Sequence, residues 1–173
     1  MSLIYKIFGV MLVVASTFMF GNAKADELKG RILSLENLLS CMIQLENEIR
    51  FTQTPIKNAL ERICKNSICV NKEIINQVLN ELENKSDIPV SEVWENAVNS
   101  NLNHIYHEDI EMYLLIGNSI GNSDLESQIK GINLINAKIC ENIKKASLRC
   151  DKNYKLYKNL GVYTGLLISV VLL

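Results

Sequence analysis

His104 and His107 flank Tyr106, and two imidazoles so close together are the first groups in this chain that could move protons near neutral pH. Acid-base catalysis also needs a nucleophile or carboxylate placed to work with the imidazole, and this pair belongs to no recognisable catalytic motif. Thiol chemistry is the next option. The five cysteines, Cys41, Cys64, Cys69, Cys140 and Cys150, form an odd set without a C-x-x-C, and the nearest pair, Cys64 and Cys69, is five apart. They read as small apolar residues kept reduced in the cytoplasm. No phosphate-binding loop, dinucleotide glycine fingerprint or metal-binding helix motif occurs. The chain is therefore expected to be non-enzymatic, with no catalytic, metal or cofactor-binding residues.

The elements that carry these residues lie between two apolar ends, Leu3 to Phe20 and Leu156 to Leu173. Lys24, Lys29 and Arg31 follow the first, and Lys144, Lys145, Arg149, Lys152, Lys155 and Lys158 precede the second; only Lys6 stands on the far side. Short flanks rich in Lys and Arg stay in the cytoplasm, so the pattern predicts two membrane spans, 3–21 and 156–173, around a cytoplasmic domain over 26–155. The same N-terminus also fits a secretory signal, because Lys6, the apolar run Ile7 to Phe20 and Ala23-Lys24-Ala25 outline a cleavage site. On that alternative a helical binding module starting at Asp26 is exported and held by its C-terminal span. The net charge of -1 combines basic flanks with a more acidic centre and leaves no uniform basic face, so nucleic acid is not expected as a partner.

The middle is patterned for helices. Leu28, Ile32, Leu35, Leu39, Met42 and Ile49 step by threes and fours, with Glu46 standing where an apolar residue is expected and Arg50 or Arg62 available to pair with it. Thr54-Pro55 reads as a helix start, followed by the face Ile56, Ala59, Leu60 and Ile63. A helix is predicted over Asn71 to Glu83, a connector over Asn84 to Pro89, and a short helix around Val93, Trp94, Ala97 and Val98 in which Trp94 is a packing anchor. The helix of Met112, Leu115, Ile116 and Ile120 is expected to stop at Gly121 in a left-handed cap, and Gly117 with Gly121 suggests close packing. Ser123 and Glu126 outline a capping box opening a last helix whose inward face is Leu125, Ile129, Ile132, Ile135, Ile139 and Ile143. That helix meets no strong breaker before the end of the chain, although Gly131 and Gly161 weaken it. The predicted fold is all-α: about six bundle helices between two spans, the last continuous with the C-terminal span.

Several of these segments together resemble the stage III sporulation protein AB family. They are Leu45-Glu46-Asn47-Glu48-Ile49, Thr54-Pro55, Ala59-Leu60-Glu61-Arg62-Ile63, Trp94-Glu95-Asn96-Ala97, the set Gly117, Gly121, Ser123, Asp124 and Gln128, and Leu160-Gly161-Val162 leading to Gly165-Leu166-Leu167. The family is similar in turn to the cytoplasmic helical domains of the inner-membrane platform protein of type II secretion and type IV pilus machines. That pattern favours Gly-Glu where this chain has Gly117-Asn118. The resemblance implies a subunit of the complex joining mother cell and forespore in sporulation, set in the mother-cell membrane and docking a cytoplasmic ATPase and other subunits. Glu46, Glu48 and Asp124 are its candidate contacts.

Overall fold

The computed structural model describes residues 3–52, 54–66, 72–84, 88–121 and 124–172. Those residues form six α-helices and two 3-10 turns, and no strand occurs among them. The chain's only prolines are Pro55 and Pro89, so nothing interrupts the helical ladder on either side of the central segment. Helix α1 accordingly runs over Leu3–Thr52 and α6 over Leu125–Leu172. Between them lie α2 (Ile56–Asn66), α3 (Lys72–Asn84), α4 (Val90–Ser100) and α5 (Ile110–Ile120).

The chain divides into two compact units. One takes Ser34–Ile143, and the other takes Met1–Leu33 with Lys144–Leu173.

Within Ser34–Ile143 the core is one aliphatic cluster. Helix α1 contributes Leu35, Leu38, Met42, Leu45 and Ile49, and α6 contributes Ile132, Ile135 and Ile139. The four short helices close the rest: Ala59, Leu60 and Ile63 on α2, Ile74, Ile75 and Val78 on α3, Val93, Trp94, Ala97 and Val98 on α4, and Met112, Ile116 and Ile120 on α5. They pack in chain order, α2 on α3, α3 on α4 and α4 on α5. The buried seam of α1 steps 3-4-3-4 through Leu38 and Leu45, not through Leu39 and Glu46 as the periodicity alone suggests. A straight helix turns about 100° per residue, so either set tracks a face, and neighbouring helices select the one that keeps Glu46 at the edge.

Trp94 is the anchor expected of it. It is 4% exposed, and its indole N–H donates to the Tyr113 carbonyl at 2.8 Å. The indole comes this close to α5 because Gly117 has no side chain: a Cβ there would sit 2.7 Å from Trp94 Cδ1 and 2.9 Å from Cγ.

Gly121 ends α5 as expected, but its φ of -79° is right-handed, so a left-handed cap is not the reason for glycine. The reason is clearance, since a Cβ would lie 3.0 Å from Ser91 Cβ and 3.2 Å from Ser91 N. Gly131 is likewise a contact point of α6 rather than a mere weak spot, with Ser119 2.9 Å from its missing Cβ. Leu125 at the start of α6 is exposed, and Ile129 and Ile143 are only half-buried, so the inward face is Ile132, Ile135 and Ile139.

In the second unit α1 and α6 run antiparallel, with Val14 near Gly165 and Gly21 near both Tyr157 and Gly161. Their backbones touch. A Cβ on Gly21 would meet the Tyr157 carbonyl at 2.8 Å and Gly161 Cα at 3.0 Å, and one on Gly161 would meet the Thr17 carbonyl at 2.7 Å. Ala25 is fully buried below this crossing, and the Lys29 ammonium sits 4.1 Å over the Tyr154 ring.

Gly117→Val is expected to push Trp94 off α5 at a cost of about 1–3 kcal/mol, the usual penalty for overpacking a filled core. Because Trp94 is the chain's only tryptophan, its fluorescence during unfolding of the detergent-solubilised chain reads the loss directly. An unchanged midpoint and emission maximum would contradict the packing role.

Candidate functional site

The residues singled out by motif fall into three groups in space. The first lies where α1 ends and α2 begins. Glu46 is at the edge of the core, its side chain 15% exposed; it accepts from Arg50 Nη2 at 2.5 Å and from Asn136 Nδ2 on α6 at 3.3 Å. Glu48 accepts from Arg62 Nη1 on α2 at 3.0 Å. Arg62 is thus the partner of Glu48, and Arg50 that of Glu46. Ala59 and Leu60 are buried beneath these pairs, while Thr54 and Pro55 precede α2. The Pro55 carbonyl receives the Ala59 N–H at 3.0 Å and so opens the helical ladder.

The second group is the α4–α5 contact of Trp94, Gly117 and Gly121 described above. The third is the turn between α5 and α6. Ser123 lies outside the described residues. The cap within them is Asp124, whose carboxylate accepts the Ser127 N–H at 2.9 Å. Hydrogen bonds from the Ser127 side chain and backbone hold the Asp124 pKa below its ordinary 3.8. Glu126 pairs with Lys130 at 2.8 Å. Gln128 reaches back and donates to the Ile120 carbonyl at 3.3 Å, so one end of each helix is satisfied across the turn.

His104 and His107 are exposed, each on a 3-10 turn, Leu102–His104 and His107–Asp109, the second of which buries Asp109. Cys41, Cys64, Cys140 and Cys150 are in no disulfide among the described residues, and Cys69 lies outside them. No cluster of metal-ligating side chains occurs among the described residues. The motif residues that the structure describes build joints between helices.

What remains available to a partner is surface. Over 34–143 the chain carries sixteen Asp and Glu against eight Lys and Arg. Over 24–31 and 144–158 it carries nine basic residues against three acidic ones. An apolar groove on the acidic unit, about 460 Å³, lies between α5 and α6, with Leu115, Leu134 and Ile135 in its walls and Lys138 and Glu141 at its edge. Leu134 is 74% exposed there.

Sequence reasoning missed the Gly21–Gly161 crossing and the Asn136–Glu46 link. Gly161-x-x-x-Gly165 in an apolar stretch was a usable signal for the first. The second joins residues 90 positions apart and left no local trace.

The fold defines a class: an all-helical protein in which one described helix, α1, is long and apolar enough to cross a membrane. Residues 6–173 match the sequence profile of stage III sporulation protein AB. The chain belongs to the stage III sporulation protein AB family, which gives it a role in sporulation. It is similar to Stage III sporulation protein AB of Bacillus subtilis strain 168, with 25% identity over 170 residues, 97% of this chain and 99% of that one. A solved structure of Stage III sporulation protein AB shares the fold, with a TM-score of 0.63 at 21% identity over 70% of this chain and 97% of the other.

Two outcomes are expected. A double-mutant cycle on Glu48 and Arg62, read by denaturant unfolding, should give a small coupling of about 0.2–1 kcal/mol, because both side chains are partly solvated; a value near zero would remove the pair from the joint. The Asp124 cap favours the ionised carboxyl, so its stabilisation is fully present above pH 3.8 and is lost as pH falls through the depressed value. The melting-temperature gap between wild type and Asp124→Ala should therefore hold at neutral pH and close in acid, and a gap independent of pH would contradict the cap.

Proposed function

We propose that this protein is a non-enzymatic membrane component of a secretion-like complex linking mother cell and forespore. Both long helices enter the mother-cell membrane, and the helical bundle stands in the cytoplasm, where it docks the complex's ATPase and other subunits. The observation that carries this reading is the helix pair of α1 and α6. Its inner face is closed by glycine-to-glycine contact, while Phe8, Met11, Phe18, Met19 and Phe20 on α1 and Leu160, Leu166, Leu167 and Val170 on α6 stay exposed. An outward apolar face with small residues inside suits helices packed in lipid. On this reading the antiparallel pair has both termini on one side of the membrane, and the basic flanks support a cytoplasmic location for the other side.

The same pair favours retention of the N-terminus over export. Ala25, the last residue of the signal-like site, is buried inside a continuous helix, and cleavage there would remove the Gly21 half of the crossing. For the bundle, the acidic excess favours a partner with a basic face, and the α5–α6 groove around Leu134 offers the apolar contact that charge alone lacks.

The topology is tested with a membrane-impermeant maleimide on Cys140, an exposed thiol of the acidic unit. Labelling is expected only after the cells are permeabilised, and N-terminal sequencing should find a chain that does not begin at Asp26. Labelling in intact cells, or a mature chain starting at Asp26, would favour the exported module. Leu134→Asp should abolish co-purification of the ATPase while leaving the protein in the membrane fraction; full co-purification would remove the groove from the docking surface.

A further inference from the structure

The helix pair carries a second feature that its packing does not use. On one flank of the Gly21–Gly161 crossing lies a groove of about 750 Å³, floored by the two glycines and walled by Phe20 and Leu160. Its serine and threonine hydroxyls are spent. Ser16 Oγ donates to the Leu12 carbonyl at 2.8 Å, Thr17 Oγ1 to Val13 and Val14 at 3.1 Å, and Thr164 Oγ1 to Leu160 at 2.7 Å. Each hydroxyl hydrogen is thus satisfied by its own helix, and the groove offers an occupant apolar surface.

One end differs. Lys24 and Tyr157 close it, at the point where the apolar stretches give way to the basic flanks. Lys24 is held by Glu27 at 2.7 Å, yet the surrounding segments retain a large positive excess, with Lys158 5.5 Å from the neighbouring Tyr154 ring.

We infer that this groove is a binding site for an anionic phospholipid, with an acyl chain lying against Gly21 and Gly161 and the headgroup phosphate at Lys24. The inference rests on the membrane reading above. The groove is apolar along its length and cationic only at the end that faces the basic flank, the order in which a phospholipid presents its parts. From residue 16 to 24 it runs roughly 12 Å at 1.5 Å per residue. A helix from a second copy is about 10–12 Å across with its side chains and would bring no negative charge to Lys24 by virtue of its backbone. A flexible chain conforms to a shallow trough that a rigid rod only bridges.

The test uses the full-length protein in nanodiscs of phosphatidylcholine doped with phosphatidylglycerol bearing a photoreactive acyl chain. Cross-links are expected to concentrate in peptides covering 16–24 and 157–164. Thr164→Phe, which fills the trough from an exposed wall position, should lower that yield at least about fivefold, and Lys24→Gln should erase the preference over a photoreactive phosphatidylcholine. Cross-links spread evenly over Phe8, Leu12 and Leu167 as well, and unchanged by Thr164→Phe, would show an ordinary lipid shell and overturn the site. An efficient chain-to-chain disulfide from Ser16→Cys would assign the groove to a second copy and overturn it equally. Failure of the membrane reading looks different, because carbonate would then extract the protein from native membranes and no lipid cross-link would form anywhere.

Discussion

Every apolar helix face must be covered by something, and this chain meets that requirement in two ways. In Ser34–Ile143 the cover is protein: four short helices supply Leu60, Val78, Val98, Ile116 and their neighbours to the apolar seams of α1 and α6. In the other unit only two helices are present, so each covers one side of its partner and leaves the rest bare. Burial stabilises by about 25 cal/mol per Å² of apolar surface, and surface left bare in water forgoes all of it. In the membrane placement proposed above, a bilayer supplies the missing cover. On the proposed reading the number of helices at hand thus separates a protein-covered bundle from a lipid-covered pair.

The two covers call for different side chains at helix contacts. In the bundle, bulky aliphatic residues fill the space between helices, and glycine appears where something large must pass, as Trp94 does over Gly117. In the pair, if it lies in lipid as proposed, the surroundings give no hydrophobic drive for one helix to find another, and attraction comes from backbone-to-backbone contact, which Gly21, Gly161 and Gly165 permit. Charge follows the same division. The basic excess lies in the segments flanking the apolar stretches, and the acidic excess lies over 34–143. An anionic leaflet would attract the first and repel the second, which on the proposed reading turns the acidic surface away from the membrane.

The motif residues acquire a common role in this picture. Glu46, Glu48, Arg62, Trp94, Gly117, Gly121, Asp124 and Gln128 each sit at a place where one helix ends, turns or crosses another. Short helices are marginal in isolation, so a bundle with four of about eleven to thirteen residues depends on its joints. Any partner that docks on the bundle relies on these joints to hold its surface in shape.

The helical class, the continuous last helix and the approximate bounds of the short ones were legible in the sequence, because they follow from local causes, 3.6-residue periodicity and two prolines, whereas the single helix over Leu3–Thr52 stands where a span over 3–21 and a separate bundle from 26 were expected. Trp94 as an anchor was legible for the same reason, being large, apolar and in phase with Val93, Ala97 and Val98. Three things were decided only by the tertiary structure. The α1 seam runs through Leu38 and Leu45 because neighbouring helices choose between two faces that periodicity leaves equivalent. Gly121 is required by the approach of Ser91, not by its own φ, and Glu46 is held from Asn136, 90 residues away. A sequence records the preferences of single helices; which surfaces meet depends on distances between segments far apart in the chain, and those exist only once it has folded.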